Sequence, residues 1–60
     1  MDTDLARRIG RALSDHPVTP AERRTVLEAA ERAATWADLP DGIRTLVREI
    51  EARPFPLGLL

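Results

Sequence analysis

The chain has 60 residues, of which 43% are apolar and 32% charged, and its formal net charge is −1. One histidine and no cysteine exclude disulfides and a structural zinc site of the usual kind, so a chain this short depends on close helix packing or on a partner for its stability. The nearly balanced charge gives no long-range attraction to nucleic acid or to an anionic membrane.

A first amphipathic helix is predicted over residues 3–15. Asp2 or Thr3 can cap its N-terminus, since a short polar side chain there accepts a hydrogen bond from a free backbone amide. Proline disfavours helical geometry in the residue before it, so Pro17 should end the helix by about Asp15. The residues that share its apolar face are Leu5, Ile9, Ala12 and Leu13.

The second predicted helix, residues 20–37, has the clearest start signal in the chain. Thr19 can cap it, Pro20 suits its first position, and Glu22 can complete a capping box with Thr19. No further glycine or proline occurs before Pro40, and alanine keeps the helix propensity high. Its apolar arc consists of Val26, Leu27, Ala30, Ala33, Ala34 and Ala37. Because most of these are alanine, the face is shallow and lets another helix approach closely.

A third helix is predicted over residues 39–53. Asp38 is its expected N-cap, and Pro54 ends it. Glu49 and Arg53 are four residues apart in the order that favours an ion pair on a helix surface. The apolar stripe is the cleanest in the protein and consists of Ile43, Leu46, Val47 and Ile50.

These elements predict an all-α fold, with a small three-helix bundle in residues 1–53 and an extended apolar C-terminal tail in residues 54–60. The predicted core consists of Leu5, Ile9, Leu13, Val26, Leu27, Ala30, Ala33, Ile43, Leu46, Val47 and Ile50. Trp36 is assigned to this core as the one bulky group that fills the space left by so much alanine. Its alternative role is the anchor of an interface, since tryptophan dominates binding hot spots.

The tail combines two prolines, which favour an extended chain, with large apolar side chains and no charge. An apolar segment of this kind is not expected to stay exposed to water. Three destinations are open at this point. Phe55 packs back on the bundle against Trp36, the tail inserts into a groove of another protein, or it has no fixed structure.

His16 is the only candidate general base. Ser14 and Asp15 precede it directly, whereas the members of a catalytic triad converge in space, so this succession does not indicate a triad. A histidine at the C-terminus of a helix, followed by Pro17, has an ordinary structural role there. The three glycines are far apart and form no phosphate-binding loop. The sequence predicts that the protein is not an enzyme, with no catalytic, cofactor-binding or metal-binding residue.

DNA binding of the helix-turn-helix type is an alternative. Arg44 and Arg48 lie one turn apart on the third predicted helix and would contact the nucleic acid, and three short helices suit such a unit. The same helix also carries Asp41, Glu49 and Glu51, which repel phosphate. Nucleic acid is therefore not the partner that the sequence favours.

The sequence favours a non-enzymatic protein–protein interaction module, a small accessory subunit, adaptor or inhibitor that docks through its alanine-rich helix face and its apolar tail. The partner would be another protein or the chain's own copy, in a homo-oligomer. The predicted partner-binding residues are Trp36, Phe55, Leu57, Leu59 and Leu60. A structural component of a large assembly, such as a virus particle, is a further alternative. No apolar run reaches the roughly 20 residues of a membrane span, and no signal peptide is evident, so a cytoplasmic location away from membranes is expected.

Overall fold

Three helices pack against one another in the computed structural model, which describes residues 1–54. They are α1 (Thr3–Asp15), α2 (Pro20–Glu31) and α3 (Asp41–Ala52), with a short 3₁₀ turn at Trp36–Asp38 between α2 and α3. Each helix contacts the other two, and residues 1–54 contain no strand, so the predicted all-α bundle is confirmed. Within this part of the chain, no helix has the length and apolar character that a bilayer crossing requires. The predicted tail lies outside the described residues beyond Pro54.

The core is formed by one side of each helix. Its buried residues are Leu5, Ile9, Ala12, Leu13, Val26, Ala30, Ala33, Leu39, Val47 and Ile50. Most of the predicted core is therefore confirmed, while Ile43 and Leu46 are half-buried and pack against it from α3. Trp36 is also half-buried against the core, as a residue of the connection between α2 and α3.

Leu27 is the clear error in the predicted core, because 40% of its surface is exposed. Successive helical residues point about 100° apart, so Val26 and Leu27 face different directions from α2. Val26 is fully buried in the core. With only two neighbouring helices to cover it, α2 buries one side, and Leu27 lies beyond the edge of that side.

The local start signals of α1 and α2 act as predicted. The Asp2 carboxylate accepts a hydrogen bond from the Leu5 amide at 2.7 Å, and the Asp2 amide donates to the Ala34 carbonyl at 2.7 Å. Thr19 Oγ1 accepts from the Glu22 amide, and the Glu22 carboxylate accepts from the Thr19 amide, both at 3.1 Å. This reciprocal capping box fixes the beginning of α2.

Helix α2 ends at Glu31, six residues before the predicted end at residue 37. The amides of Arg32 and Ala33 donate to the carbonyls three residues back, those of Ala29 and Ala30, at 3.1 Å each. This tighter bonding is typical of a helix that is closing its last turn. The high helix propensity of alanine did not extend the helix, because tertiary contacts outweigh propensity.

Asp38 holds the chain after α2 and does not cap α3, so its predicted role as the N-cap of the third helix was wrong. Its carboxylate accepts hydrogen bonds from the amides of Ala34 at 3.1 Å and Thr35 at 3.2 Å. These amides lie after the end of α2, so they need a hydrogen-bond acceptor outside the helix. Helix α3 begins at Asp41, and Pro40 precedes it without a side-chain capping bond.

Leu39 lies in extended backbone, with φ −72° and ψ 141°, and not inside α3 as predicted. The cause is Pro40, which disfavours the helical conformation in the residue before it. Together with the 3₁₀ turn at Trp36–Asp38, this conformation brings Leu39 into the core, where it is 2% exposed. The connection between α2 and α3 therefore contributes a core residue of its own.

Candidate functional site

An open groove of about 560 Å³ runs along the outer face of α2, with Leu27 in it. Its lining residues are Val18, Pro20, Arg23, Arg24, Leu27, Glu28 and Glu31. We call this surface the Leu27 groove. Val18 is half-buried, so the groove begins at the connection between α1 and α2 and continues up the helix. Its lining combines apolar and charged side chains, a mixture that is common in protein-docking surfaces.

The sequence contains a signal for this surface, although sequence reasoning placed Leu27 in the core. Residues three before and four after a helical position lie on the same face. For Leu27 these neighbours are Arg24 and Glu31, both charged and both exposed. A leucine whose nearest neighbours on its own face are charged is expected at the surface. The same test applied to Val26 gives one exposed charged residue, Arg23, and one core residue, Ala30, so only Leu27 has charge on both sides.

Trp36 is covered on one side by an arginine. The guanidinium carbon of Arg8 lies 3.7 Å from the centre of the Trp36 ring, and that of Arg48 lies 5.8 Å away. The Arg8 guanidinium also donates two hydrogen bonds of 3.0 Å to the Glu51 carboxylate. The tryptophan therefore joins α1 to α3 through Arg8, and only part of it is free for the partner-binding role predicted from the sequence.

The end of α3 is fastened to the connection between α1 and α2. Arg53 donates two hydrogen bonds to the Glu22 carboxylate, at 2.7 and 2.8 Å, and one to the Pro17 carbonyl at 2.9 Å. The His16 ring nitrogen Nδ1 donates to the Arg53 carbonyl at 2.9 Å. Arg53 therefore lies at the corner of the bundle where the Leu27 groove begins.

Glu22 serves two partners at this corner, since it completes the capping box and binds Arg53. The hydrogen bonds from the Arg53 guanidinium, followed by the bond from the Thr19 amide, lower the pKa of Glu22 from 4.5 to about 2. The same pair raises the pKa of Arg53 above its ordinary value. The carboxylate is therefore held in its charged form, which is the form that both partners require.

We expect the contribution of Glu22 to stability to depend on pH. Because folding lowers this pKa, the unfolded chain binds more protons between pH 4.5 and about 2. The stabilisation is therefore complete above this range and is lost as the pH falls through it. Thermal unfolding of the natural chain and of Glu22→Gln should show a difference in Tm at neutral pH that shrinks towards pH about 2.

Asp15→Asn is the control for this measurement, because it also removes one negative charge from a helix, at an exposed residue, whereas Glu22 is half-buried. A Tm difference between Glu22→Gln and the natural chain that stays constant across the acidic range would contradict the assigned role of the carboxylate.

The arginines considered for DNA binding have partners within the bundle. Arg44 forms an ion pair with Asp41 on the same helix, and Arg48 lies near the Trp36 ring. A second group of arginines, Arg7, Arg8 and Arg11, lines a shallow depression. Two carboxylates, those of Asp4 and Glu51, line the same depression. Both arginine groups therefore mix with acidic side chains, which weakens any phosphate-binding surface.

The histidine considered as a general base has a hydrogen-bond partner within the bundle. His16, at the C-terminus of α1, donates a hydrogen bond to the Arg53 carbonyl at the end of α3, and Ser14 and Asp15 beside it are exposed. Within residues 1–54, no three histidine, aspartate or glutamate side chains are grouped closely enough to hold a metal ion. No polar or charged residue of this part of the chain is buried.

The remaining residues that the sequence assigned to partner binding lie outside the described part of the chain. They are Phe55, Leu57, Leu59 and Leu60.

Comparison with known proteins assigns no relative, because no protein-family model, curated protein or solved structure matches this chain.

Proposed function

We propose that this chain is a non-enzymatic protein–protein interaction module, a small accessory subunit, adaptor or inhibitor, whose docking surface is the Leu27 groove. The observation that carries the proposal is the 40% exposure of Leu27 within a helix whose other large apolar residue, Val26, is fully buried. The apolar composition of residues 55–60 adds a second element of the same chemistry.

The proposed docking does not use the alanine-rich face predicted from the sequence, of which Ala30 and Ala33 are buried and Ala34 and Ala37 are exposed after the end of α2. Ala30 and Ala33 are buried between the helices, where their small side chains allow the neighbours to approach. The docking surface therefore lies on the outer side of the same helix. Trp36 contributes less than the sequence suggested, because Arg8 covers one side of its ring.

The small apolar area of the Leu27 groove determines the affinity to expect. Fully burying a leucine contributes about 1.5–3 kcal/mol, so covering the exposed part of Leu27 contributes about 1 kcal/mol. Val18 is already half-buried and adds less. A partner that touches the Leu27 groove alone would therefore bind weakly, and tight binding would need further contacts, such as those of the apolar tail.

A photo-crosslinking residue placed in the groove tests the proposal. We expect Leu27→p-benzoylphenylalanine to form a covalent product with a protein in the cells that produce the chain. The control carries the same residue at Arg11, which is exposed on α1 beside Asp4 and Glu51, away from the groove. Circular dichroism should confirm that both variants keep the helical fold.

A discrete product from position 27 and none from position 11 would support the proposal. Equal, diffuse labelling from both positions, or no product from either, would contradict it. The mass of the product identifies the class of partner, since a product of twice the chain's mass contains a second copy.

A further inference from the structure

Charges along the Leu27 groove follow a simple order. Arg23 and Arg24 stand before Leu27, in the first half of α2, and Glu28 and Glu31 stand after it, in the second half. All five side chains belong to exposed residues. The face of the helix is therefore basic at one end, acidic at the other, and apolar in the middle.

This order is unfavourable for the helix itself. The N-terminus of a helix carries partial positive charge and the C-terminus partial negative charge, so arginine is better placed late and glutamate early. The i, i+4 order of Arg24 and Glu28 is also the weaker of the two possible orders. Within residues 1–54, Arg24, Glu28 and Glu31 form no ion pair. The charge pattern therefore does not serve the packing or the stability of the isolated bundle.

The same order is complementary to itself when the helix is reversed. If two copies of α2 lie antiparallel with their Leu27 side chains together, Arg24 of each copy lies opposite Glu31 of the other. Parallel helices would instead place Arg24 against Arg24 and Glu31 against Glu31. An antiparallel pair related by a two-fold axis forms every contact twice and closes on itself, so it leads to a dimer and not to a fibre.

We propose that the Leu27 groove binds a second copy of this chain, with the two α2 helices antiparallel across a two-fold axis. This inference rests on the proposed function and names its partner. The dimer covers Leu27, gives Arg24 and Glu31 partners, and adds buried surface to a chain that has little interior of its own. Arg23 is not needed for the contact, since it donates to the Leu13 carbonyl at 2.9 Å within the bundle.

The predicted dimer is weak and depends on salt. One face of a helix of 12 residues is smaller than the interface of a typical stable complex. We expect a Kd in roughly the 10 μM to 1 mM range. Exposed ion pairs are screened by salt, so raising the salt concentration should raise the Kd.

Charge reversal across the two-fold axis tests the proposal with an internal control. Analytical ultracentrifugation of the full chain over a wide concentration range gives the Kd. Arg24→Glu alone, or Glu31→Arg alone, places like charges opposite each other twice and should weaken the dimer by about tenfold or more. The double variant Arg24→Glu/Glu31→Arg restores opposite charges and should return the Kd to within about threefold of the natural value.

Recovery of the dimer in the double variant separates an effect on docking from an effect on folding. If the substitutions unfolded the monomer, combining them would not restore the dimer. Circular dichroism of each variant at low concentration should show the same helix content as the natural chain. Leu27→Asp should abolish the dimer in every background, since it places two carboxylates at the centre of the contact.

Several outcomes would overturn the inference. One is a natural chain that stays monomeric at concentrations of about 1 mM. Another is a dimer that both single reversals leave unchanged. A dimer lost in the full-length variant Phe55→Ser/Leu57→Ser, but kept in the charge reversals, would belong to the tail. Crosslinking from position 27 to a protein of another mass would leave the proposed function standing while contradicting the second copy as partner.

Discussion

Replacing Ile50 with alanine is expected to lower the free energy of unfolding by about 2–5 kcal/mol. Ile50 has 0% exposure and is one of the three largest fully buried side chains, with Val26 and Val47. Removing most of its side chain takes away buried apolar surface and leaves a cavity between α3 and its neighbours, which the short helices can close only in part. A domain of this size has only about 3–5 kcal/mol of stability, so the variant should be largely unfolded at room temperature.

Ile43→Ala is the matched control, since it makes the same change on the same helix at a half-buried residue. Urea unfolding followed by circular dichroism should show a clearly smaller loss for Ile43→Ala. If Ile50→Ala does not fold, Ile50→Val keeps the test measurable, with an expected loss of about 0.5–1.5 kcal/mol. Equal losses for the alanine variants at positions 43 and 50 would contradict the assignment of Ile50 to the centre of the core.

Helix α1 and the start of α2 could be predicted from the sequence because their signals are local. The cap at Asp2 acts on an amide three residues away, and the capping box joins Thr19 to Glu22. Pro17 ends α1 near the predicted residue for the same local reason. The four-residue spacing of apolar positions in α1 identified its buried face without knowledge of its neighbours.

The end of α2 could not be predicted from local signals. Nothing near Glu31 disfavours a helix, and the alanines that follow favour one. The helix ends because the Asp38 carboxylate binds the Ala34 and Thr35 amides, and because the Asp2 amide binds the Ala34 carbonyl. One of these contacts comes from the other end of the chain.

Ion pairs show the same division between local and distant effects. The spacing of Glu49 and Arg53 favours a pair on α3, yet Arg53 binds Glu22, which is 31 residues away. Arg8 likewise binds Glu51 across the bundle, 43 residues away. Such pairs depend on how helices are arranged in space, and the helix sequences alone do not give that arrangement.

The apolar tail and Trp36 are predicted to bind a partner because large apolar groups on a short chain need cover. The Leu27 groove is not predicted, because the apolar arc of α2 groups Leu27 with the core residues and not with its charged neighbours Arg24 and Glu31. The width of that arc exceeded what two neighbouring helices can cover, and the excess is the exposed surface.

Replacing Leu39 with alanine is expected to cost about 2–5 kcal/mol of unfolding free energy, although Leu39 lies outside the three helices. Its side chain is 2% exposed and belongs to the core, held there by the extended backbone before Pro40. A loop residue at the surface would cost within about 0.5 kcal/mol on substitution. The prediction therefore tests whether the connection between α2 and α3 is a structural part of the bundle.

Leu27→Ala is the matched control, because it deletes the same atoms from a leucine that is 40% exposed on α2. It should cost only about 1–2 kcal/mol, since part of the side chain is already in water and alanine has the higher helix propensity. Both variants should be measured by urea unfolding at low concentration, where a dimer does not contribute. If Leu39→Ala cost no more than Leu27→Ala, the assignment of Leu39 to the core would be wrong. A large difference would mean that the connection after α2 stabilises the bundle, because it supplies a core leucine where the end of α2 offers mainly alanine.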